Sequence, residues 1–404
     1  MCRGTRLHKF LDLGKTPPAD RFLFEHQLKE KEELYPLNVV ICDDCGLVQL
    51  DYAVAPEILY CDDYPYESST TSAGHRHWSE FAETVTRMMS LEGKDLVVDI
   101  GSNVGVLLQM FKDRGIRVLG VDPAANIAAI ANRNGIETEA AFFDEKIARQ
   151  IVLRHGHASV ITGTNVFAHL NDVRGVMRAV DDLLADRGVF IVEAPYLLAL
   201  MQDFEYDTIY HEHLSYLSLK PLQRFFAGFG MEIFEVQRRD IHGGSFRFFV
   251  QRKKEGRPVS PVITELLYIE EREGIYNHDR LKQFADQVAK NRDDLRNLLL
   301  TLKSHGKRIA AVSAPAKGMT LVNYCGLDNT ILDFVTEKAR LKIGRYTPGM
   351  HIPVVADEVL FEKQPDYALL LAWNFAEEIM ANLKRFSDHG GKFIIPVPTP
   401  KIVG

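Results

Sequence analysis

Residues 207–216 read Asp-Thr-Ile-Tyr-His-Glu-His-Leu-Ser-Tyr, which places Tyr210, His211, Glu212 and His213 side by side. Imidazole changes charge near neutral pH and a neighbouring carboxyl group can orient or tune it, so the set suits proton transfer. Metal binding is a competing chemistry, and a polar loop satisfied by its own backbone is another. The metal reading is weak: zinc hydrolases place two histidines four apart on one helix face, whereas His211 and His213 are two apart. On extended chain successive residues of His211-Glu212-His213 point to opposite faces, so the three cannot converge on one ion. His211 is left as a backbone-bonded residue with no chemistry assigned. His169, in the apolar context Val-Phe-Ala-His-Leu, reads by itself as a core histidine.

The elements that must position this stretch lie on both sides of it. An amphipathic helix is expected over 75–89, with Trp78, Phe81, Val85 and Met88 at three- and four-residue spacings. Leu96-Val97-Val98-Asp99-Ile100 then reads as a buried strand, followed by a glycine turn and a helix over 104–111. A second strand over 118–122 leads to a helix over 124–132. Strands over 160–162 and 189–193 enclose a helix over 173–184, and 246–251 reads as a closing strand. This alternation predicts a doubly wound, mostly parallel α/β sheet. A long charged helix over 262–303 bridges to a second such region, with strands over 308–312, 331–335, 367–371 and 393–396. The first sixty residues read as irregular. The expected division is 1–70, 71–255, a helical linker 256–306, and 307–404.

The turn Asp99-Ile100-Gly101-Ser102-Asn103-Val104-Gly105 lacks the G-x-G-x-x-G order that lets backbone approach a pyrophosphate. A carboxylate at Asp99 would repel phosphate and suits an ammonium or sulfonium group. Asp122, ending the next strand, is placed to accept hydrogen bonds from both hydroxyls of a ribose. Phe142 and Phe143 follow as adenine neighbours or as core. The spacing resembles the first two motifs of class I S-adenosylmethionine methyltransferases.

Composition bounds the rest. A chain of 404 residues exceeds one compact core, and a net charge of -7 argues against a broad phosphate-neutralising surface, so no nucleic-acid partner is expected. No apolar run is long enough for a bilayer span and no signal-peptide core opens the chain, so no membrane partner is expected either. Five cysteines do not make a disulfide framework, and a reducing, cytoplasmic compartment is expected. The oligomeric state is left open.

With these motifs in place the chain resembles the deoxysugar C-methyltransferases, which methylate nucleotide-linked sugars at C-3. The resemblance runs nearly end to end. It is carried by Phe10-Leu11-Asp12-Leu13-Gly14, Cys42-Asp43-Asp44-Cys45-Gly46, Asp63-Tyr64-Pro65-Tyr66, the 99–105 turn, Asn165-Val166-Phe167-Ala168-His169-Leu170, the 210–216 block, Ala314-Pro315-Ala316-Lys317-Gly318 and Leu371-Ala372-Trp373-Asn374. It implies a small N-terminal zinc-binding domain, a central class I methyltransferase domain and a C-terminal Rossmann-like domain. It further implies a nucleotide-linked 4-keto-6-deoxysugar as the small-molecule partner. His213 would be the base that removes the proton beside the ketone, with Tyr210 and Glu212 orienting it or the sugar. Tyr64 and His169 would line the same pocket. S-adenosylmethionine (SAM) would be held by Asp99, Gly101, Asn103, Gly105, Asp122 and Asn165.

The chain departs from that pattern at the metal. The family's module carries two C-x-x-C pairs because zinc is satisfied by four thiolates. Here Cys42 and Cys45 form one pair, and Cys2 matches the second cysteine of the other, whose partner would precede Met1. Three readings stay open: a chain that starts further upstream, zinc on the incomplete ligand set Cys2, Cys42 and Cys45 with water, or no zinc. Cys61 lies at no ligand spacing and Cys325 reads as core.

The strand-to-helix turn at Ala314 to Lys317 could meet a diphosphate through its amides and the Lys317 ammonium. The small-residue turn His242-Gly243-Gly244-Ser245 allows a ligand close approach, so Lys317, His242 and Ser245 are candidate substrate contacts. Lys338, Lys342 and Arg345 form a basic cluster, as ligand contacts or as solvated surface. Competing functions are O- or N-methylation of a small metabolite, a nicotinamide-dependent oxidoreductase, which the missing dinucleotide loop disfavours, and a non-catalytic nucleotide-sugar binder.

Overall fold

The computed structural model describes residues 1–60, 72–241 and 243–404. Cys61, Tyr64 and His242 lie outside the described residues. Among the described residues the chain forms three sheets.

The central sheet has seven strands, in the order Met231–Arg239, Ser245–Arg252, Leu184–Pro195, Ala158–Thr164, Leu96–Ile100, Arg117–Asp122, Thr138–Ala140. Ser245–Arg252 runs opposite to the other six strands. This is the class I methyltransferase arrangement. Its strands are apolar on both faces because helices cover both. Val97, Val160, Val189, Ile191 and Phe249 pack with Phe81, Val85, Leu108 and Phe111 of the helices Ser72–Met89 and Val106–Lys112. The alternate residues Val98, Ile161, Phe190, Val192 and Phe248 join Met177, Val180 and Leu183 of Val173–Leu183 on the other face. That helix starts where Asp172 accepts the Gly175 amide at 2.9 Å. The edge strand Met231–Arg239 was not foreseen from periodicity.

The first sixty residues are not irregular. Leu7–Thr16, Tyr35–Cys42 and Val48–Leu50 pair antiparallel, and Ser215–Tyr216 completes a four-stranded sheet. The fourth strand is the end of the histidine stretch itself, and the Leu50 amide donates to the Leu214 carbonyl at 3.0 Å.

The C-terminal sheet runs Val354–Ala356, Val335–Glu337, Ile309–Val312, Tyr367–Leu370, Lys392–Ile395, Lys401–Val403, with only the last strand antiparallel. The strand expected from 331 starts only at Val335, because the amides of Ile331 and Leu332 turn back onto the Asp328 carbonyl. The long bridging helix is two helices, Val262–Arg272 and His278–Ser304. Gly274, at φ +67°, ends the first, and the Asn277 side chain caps the second by accepting from Asp279 and Arg280. Among the described residues no helix is long and apolar enough to cross a membrane.

Candidate active site

One cavity of about 2120 Å³ runs between the carboxyl ends of the central and C-terminal strands, with the 207–216 stretch in its wall. At its central end the glycine turn is dictated by packing. Gly101 and Gly105 have φ of +68° and +82°, and a Cβ at either would lie 2.8 Å from Val166 or 2.9 Å from Ile136. Asp99 is buried and accepts the Thr162 hydroxyl at 2.6 Å. Burial pushes its carboxyl up to about 7, against that hydrogen bond. Asp122 accepts the Asn103 amide at 2.8 Å on one oxygen and the Ala124 amide at 2.9 Å on the other. Burial also raises Asp122, with those two amides opposing. Asn165, at φ +55°, keeps a buried side-chain oxygen with no hydrogen-bond partner beside the same space. Phe142 lines the cavity and is half exposed, whereas Phe143 is core. Two carboxylates with suppressed ionisation and an orphan carbonyl fit a ligand bearing an ammonium, a sulfonium and a ribose diol.

The histidine stretch is a turn, closed by the His213 amide on the Tyr210 carbonyl at 2.9 Å, and not extended chain. His213 Nδ1 donates to the Thr208 carbonyl at 2.7 Å, since a carbonyl oxygen can only accept. In the neutral ring this leaves the proton-accepting lone pair on Nε2. The Tyr210 ring lies 4.0 Å from that of His213, and the His169 ring 4.9 Å on another side. Burial and the proximity of His213 hold His169 well below its ordinary range, so it is neutral. Its Nδ1 lies 3.2 Å from the Tyr60 hydroxyl. Glu212 is buried at the cavity wall, and burial first, then Asp20, pushes it up to about 8. Its Oε2 has no hydrogen-bond partner. His211 points away, with Nε2 3.3 Å from the Tyr35 carbonyl.

The C-terminal end differs from expectation. The Lys317 ammonium is 3.9 Å from Glu205, 3.7 Å from Asp207 and 4.3 Å above the Trp373 ring, so its charge is already met by the protein. Glu205 is pushed up to about 7 by burial, with Lys317 opposing. Ser245 lines the cavity, but its hydroxyl donates to the Ile241 carbonyl at 3.0 Å. The expected basic cluster is dispersed. Lys342 is buried against Asp20 at 2.9 Å and the Ala314 carbonyl at 3.0 Å, Arg345 stacks 4.3 Å over Phe24, and Lys338 lines the cavity.

The cysteine sulfurs of Cys2, Cys42 and Cys45 lie within 4.8 Å of one another, Cys2 and Cys42 at 3.6 Å. Tetrahedral zinc with Zn–S of about 2.3 Å has sulfur–sulfur edges of about 3.8 Å, so the trio fits three corners of such a site.

Two sets of residues, with His77, Glu205 and Trp373 in the cavity wall and their partners behind it, went unread as pairings in the sequence. His77 Nε2 lies 2.6 Å from the fully buried Glu193, whose other oxygen accepts from Arg247 at 2.8 Å. Burial raises Glu193, but His77 and Arg247 more than offset it and hold it below the ordinary range. Asp207, Glu205 and Trp373 form the other set, with Trp373 Nε1 donating to Asp207 at 2.6 Å. Neither carries a local signal, because the partners are far apart in sequence. Tyr60 stands just before the Asp63-Tyr64-Pro65-Tyr66 block, and that proximity was the one available hint.

Comparison with known proteins gives three family matches. They are a zinc binding domain over residues 1–60, a methyltransferase domain over 73–236 and a C-methyltransferase C-terminal domain over 240–398. The C-methyltransferase NovU of Streptomyces niveus is 37% identical over 100% of this chain and 96% of its own. Among solved structures, an S-adenosylmethionine-dependent methyltransferase from Clostridium acetobutylicum matches 44% of this chain and 91% of its own, at 16% identity and a TM-score of 0.35. The CcbJ methyltransferase of Streptomyces caelestis matches 46% and 93%, at 15% identity and a TM-score of 0.36.

Proposed function

The chain belongs to the SAM-dependent C-methyltransferases, and from that premise we propose that it methylates a nucleotide-linked 4-keto-6-deoxysugar at C-3. The observation that carries this reading is the tautomer of His213. Its Nδ1 is committed to the Thr208 carbonyl, so in the neutral ring Nε2 is the proton-accepting nitrogen, with the Tyr210 and His169 rings 4.0 and 4.9 Å away. A carbon acid needs such a base before it can act as a nucleophile, whereas a hydroxyl or amine substrate needs no enolate. His213 Nε2 takes the proton beside the ketone. Glu212, raised to about 8, is largely protonated at pH 7 and is able to donate a hydrogen bond to the oxygen that gains charge. Tyr210 and His169 hold the ring and the sugar, a role in which Tyr64 is also proposed. When bound, SAM supplies a sulfonium methyl group to the enolate carbon. Asp99, Gly101, Asn103, Gly105, Asp122 and Asn165 hold it. Lys317, Ser245 and His242 are proposed at the substrate's edge, Lys317 through the Glu205 and Asp207 pair.

We further propose that Cys2, Cys42 and Cys45 hold zinc. We also propose the division into 1–70, 71–255, a helical linker 256–306 and 307–404, of which the first, second and last contribute residues to the cavity wall. Metal analysis of the purified protein tests the first: zinc content unaltered by replacing Cys42 with serine would count against it. Limited proteolysis tests the second, and cuts confined to positions away from those boundaries would overturn it. For the reaction, incubation with SAM and a panel of nucleotide 4-ketosugars should give a mass gain of one methyl. Without SAM, solvent deuterium should enter beside the ketone. Methyl gain on oxygen or nitrogen with no exchange would replace this reading by O- or N-methylation.

A further inference from the structure

The two open sheets end in corners built alike. In the central sheet Asp122 closes the second strand and accepts the amide of Asn103, in the first loop, and of Ala124, two residues on. In the C-terminal sheet Glu337 closes the second strand. It accepts the amide of Ala314, in the first loop, at 2.8 Å, and those of Lys338 and Ala339 at 2.7 and 3.0 Å. Each first loop turns through a residue of positive φ, Asn103 at 50° and Ser313 at 68°. The strand order of each sheet reverses at its first strand, and open α/β sheets bind ligands beyond that reversal. Both carboxylates line the same cavity. Its volume of about 2120 Å³ exceeds the roughly 300–1,000 Å³ usual for one small-molecule site, which leaves room for a second ligand beside SAM.

We propose that Glu337 accepts a pentose hydroxyl of the substrate's nucleoside, so that the C-terminal sheet holds the nucleotide end while His213 meets the sugar end. This rests on the nucleotide-sugar reading above. An ionised carboxylate offers about four acceptor positions. At Glu337 the Lys338 and Ala339 amides take both on Oε1 and the Ala314 amide takes one on Oε2, which leaves one for a ligand. At Asp122 each oxygen carries one amide, which leaves two, as a diol requires. The C-terminal corner therefore reads a single hydroxyl. If Glu337 served only to tie its loop, the ligand's hydroxyls would make no difference to binding.

The test is calorimetric binding of uridine, thymidine, cytidine and guanosine diphosphates to the full chain, followed by the 2′,3′-dideoxy counterpart of the best binder. A lost charge-assisted hydrogen bond should weaken the dideoxy compound about ten- to a hundredfold. Glu337→Gln should bind the two compounds within about twofold of each other, with SAM binding retained as proof of an intact fold. Equal binding of the parent and dideoxy compounds by the unaltered protein would overturn the assignment of Glu337 while leaving the nucleotide-sugar reading in place. Failure of all four diphosphates to bind would overturn both.

Discussion

Asp99 and Asp122 stand at the reversal of the central sheet and, among the described residues, neither is paired with a cation. The reversal of the C-terminal sheet carries Lys317, Lys338 and Arg340 at the same cavity. The two scaffolds share strand order, loop closure and an acidic end to the second strand, Asp122 and Glu337, and what separates them is the cations flanking the C-terminal reversal, of which Lys317 is answered by Glu205 and Asp207. Burial makes that difference effective. In water a carboxylate is stabilised by solvent without any partner, but at the buried Asp99 the unpaired charge is penalised until a cation arrives. Under the proposed function, one fold would serve a cationic cofactor at one end and a nucleotide at the other.

The largest expected effect lies where the two ends meet. His213→Asn should lower methylation by about 10²–10⁴-fold and remove deuterium exchange into the ketosugar, with SAM and nucleotide binding as before. A variant that still exchanges at the normal rate would show that another group is the base.

Asp122→Ala tests whether the corners act independently. Charge-assisted hydrogen bonds contribute about 1.5–3 kcal/mol each, so SAM affinity should fall at least about tenfold by calorimetry. Nucleoside diphosphate affinity should not move. A parallel loss at both corners would mean that one rigid unit, and not two sites, had been disturbed.

The smallest effect is a pH dependence. Asp99 is raised to about 7, so it is mostly protonated at pH 6 and mostly ionised at pH 8. A cation and a proton compete for it, so SAM affinity should rise up to about tenfold between those pH values and then level off. Asp99→Asn should flatten the rise, and a wild-type curve already flat from pH 6 to 8 would remove Asp99 from the cation's contacts.

Most of the central sheet was legible because its strands are continuous apolar runs, Leu96 to Ile100 being the clearest, and because Gly101 and Gly105 mark a turn that no side chain could fill. The amino-terminal sheet was not, since Val48–Leu50 is only three residues long and its partner Ser215–Tyr216 lies far along the chain. Arg247 was hidden inside a phenylalanine-rich strand, where nothing local reveals the buried Glu193 that neutralises it. The cations of the C-terminal region were legible as residues but not as partners: Lys317 and Lys342 are answered by Asp207 and Asp20 from distant segments. Spacing identifies which groups a loop presents. Long-range pairing decides which of them remain available to a ligand.

The strand Ser215–Tyr216 ties the turn bearing His213 to the sheet that ends in Cys42. On the ribosome, the first three strands of that sheet emerge long before their fourth. The cysteine-bearing sheet therefore stays unfinished until more than half of the chain has been made, and it is completed in the same event that sets His213 in place. A nascent chain halted before residue 215 would expose the edge of Val48–Leu50, an unpaired strand open to association with a neighbouring chain.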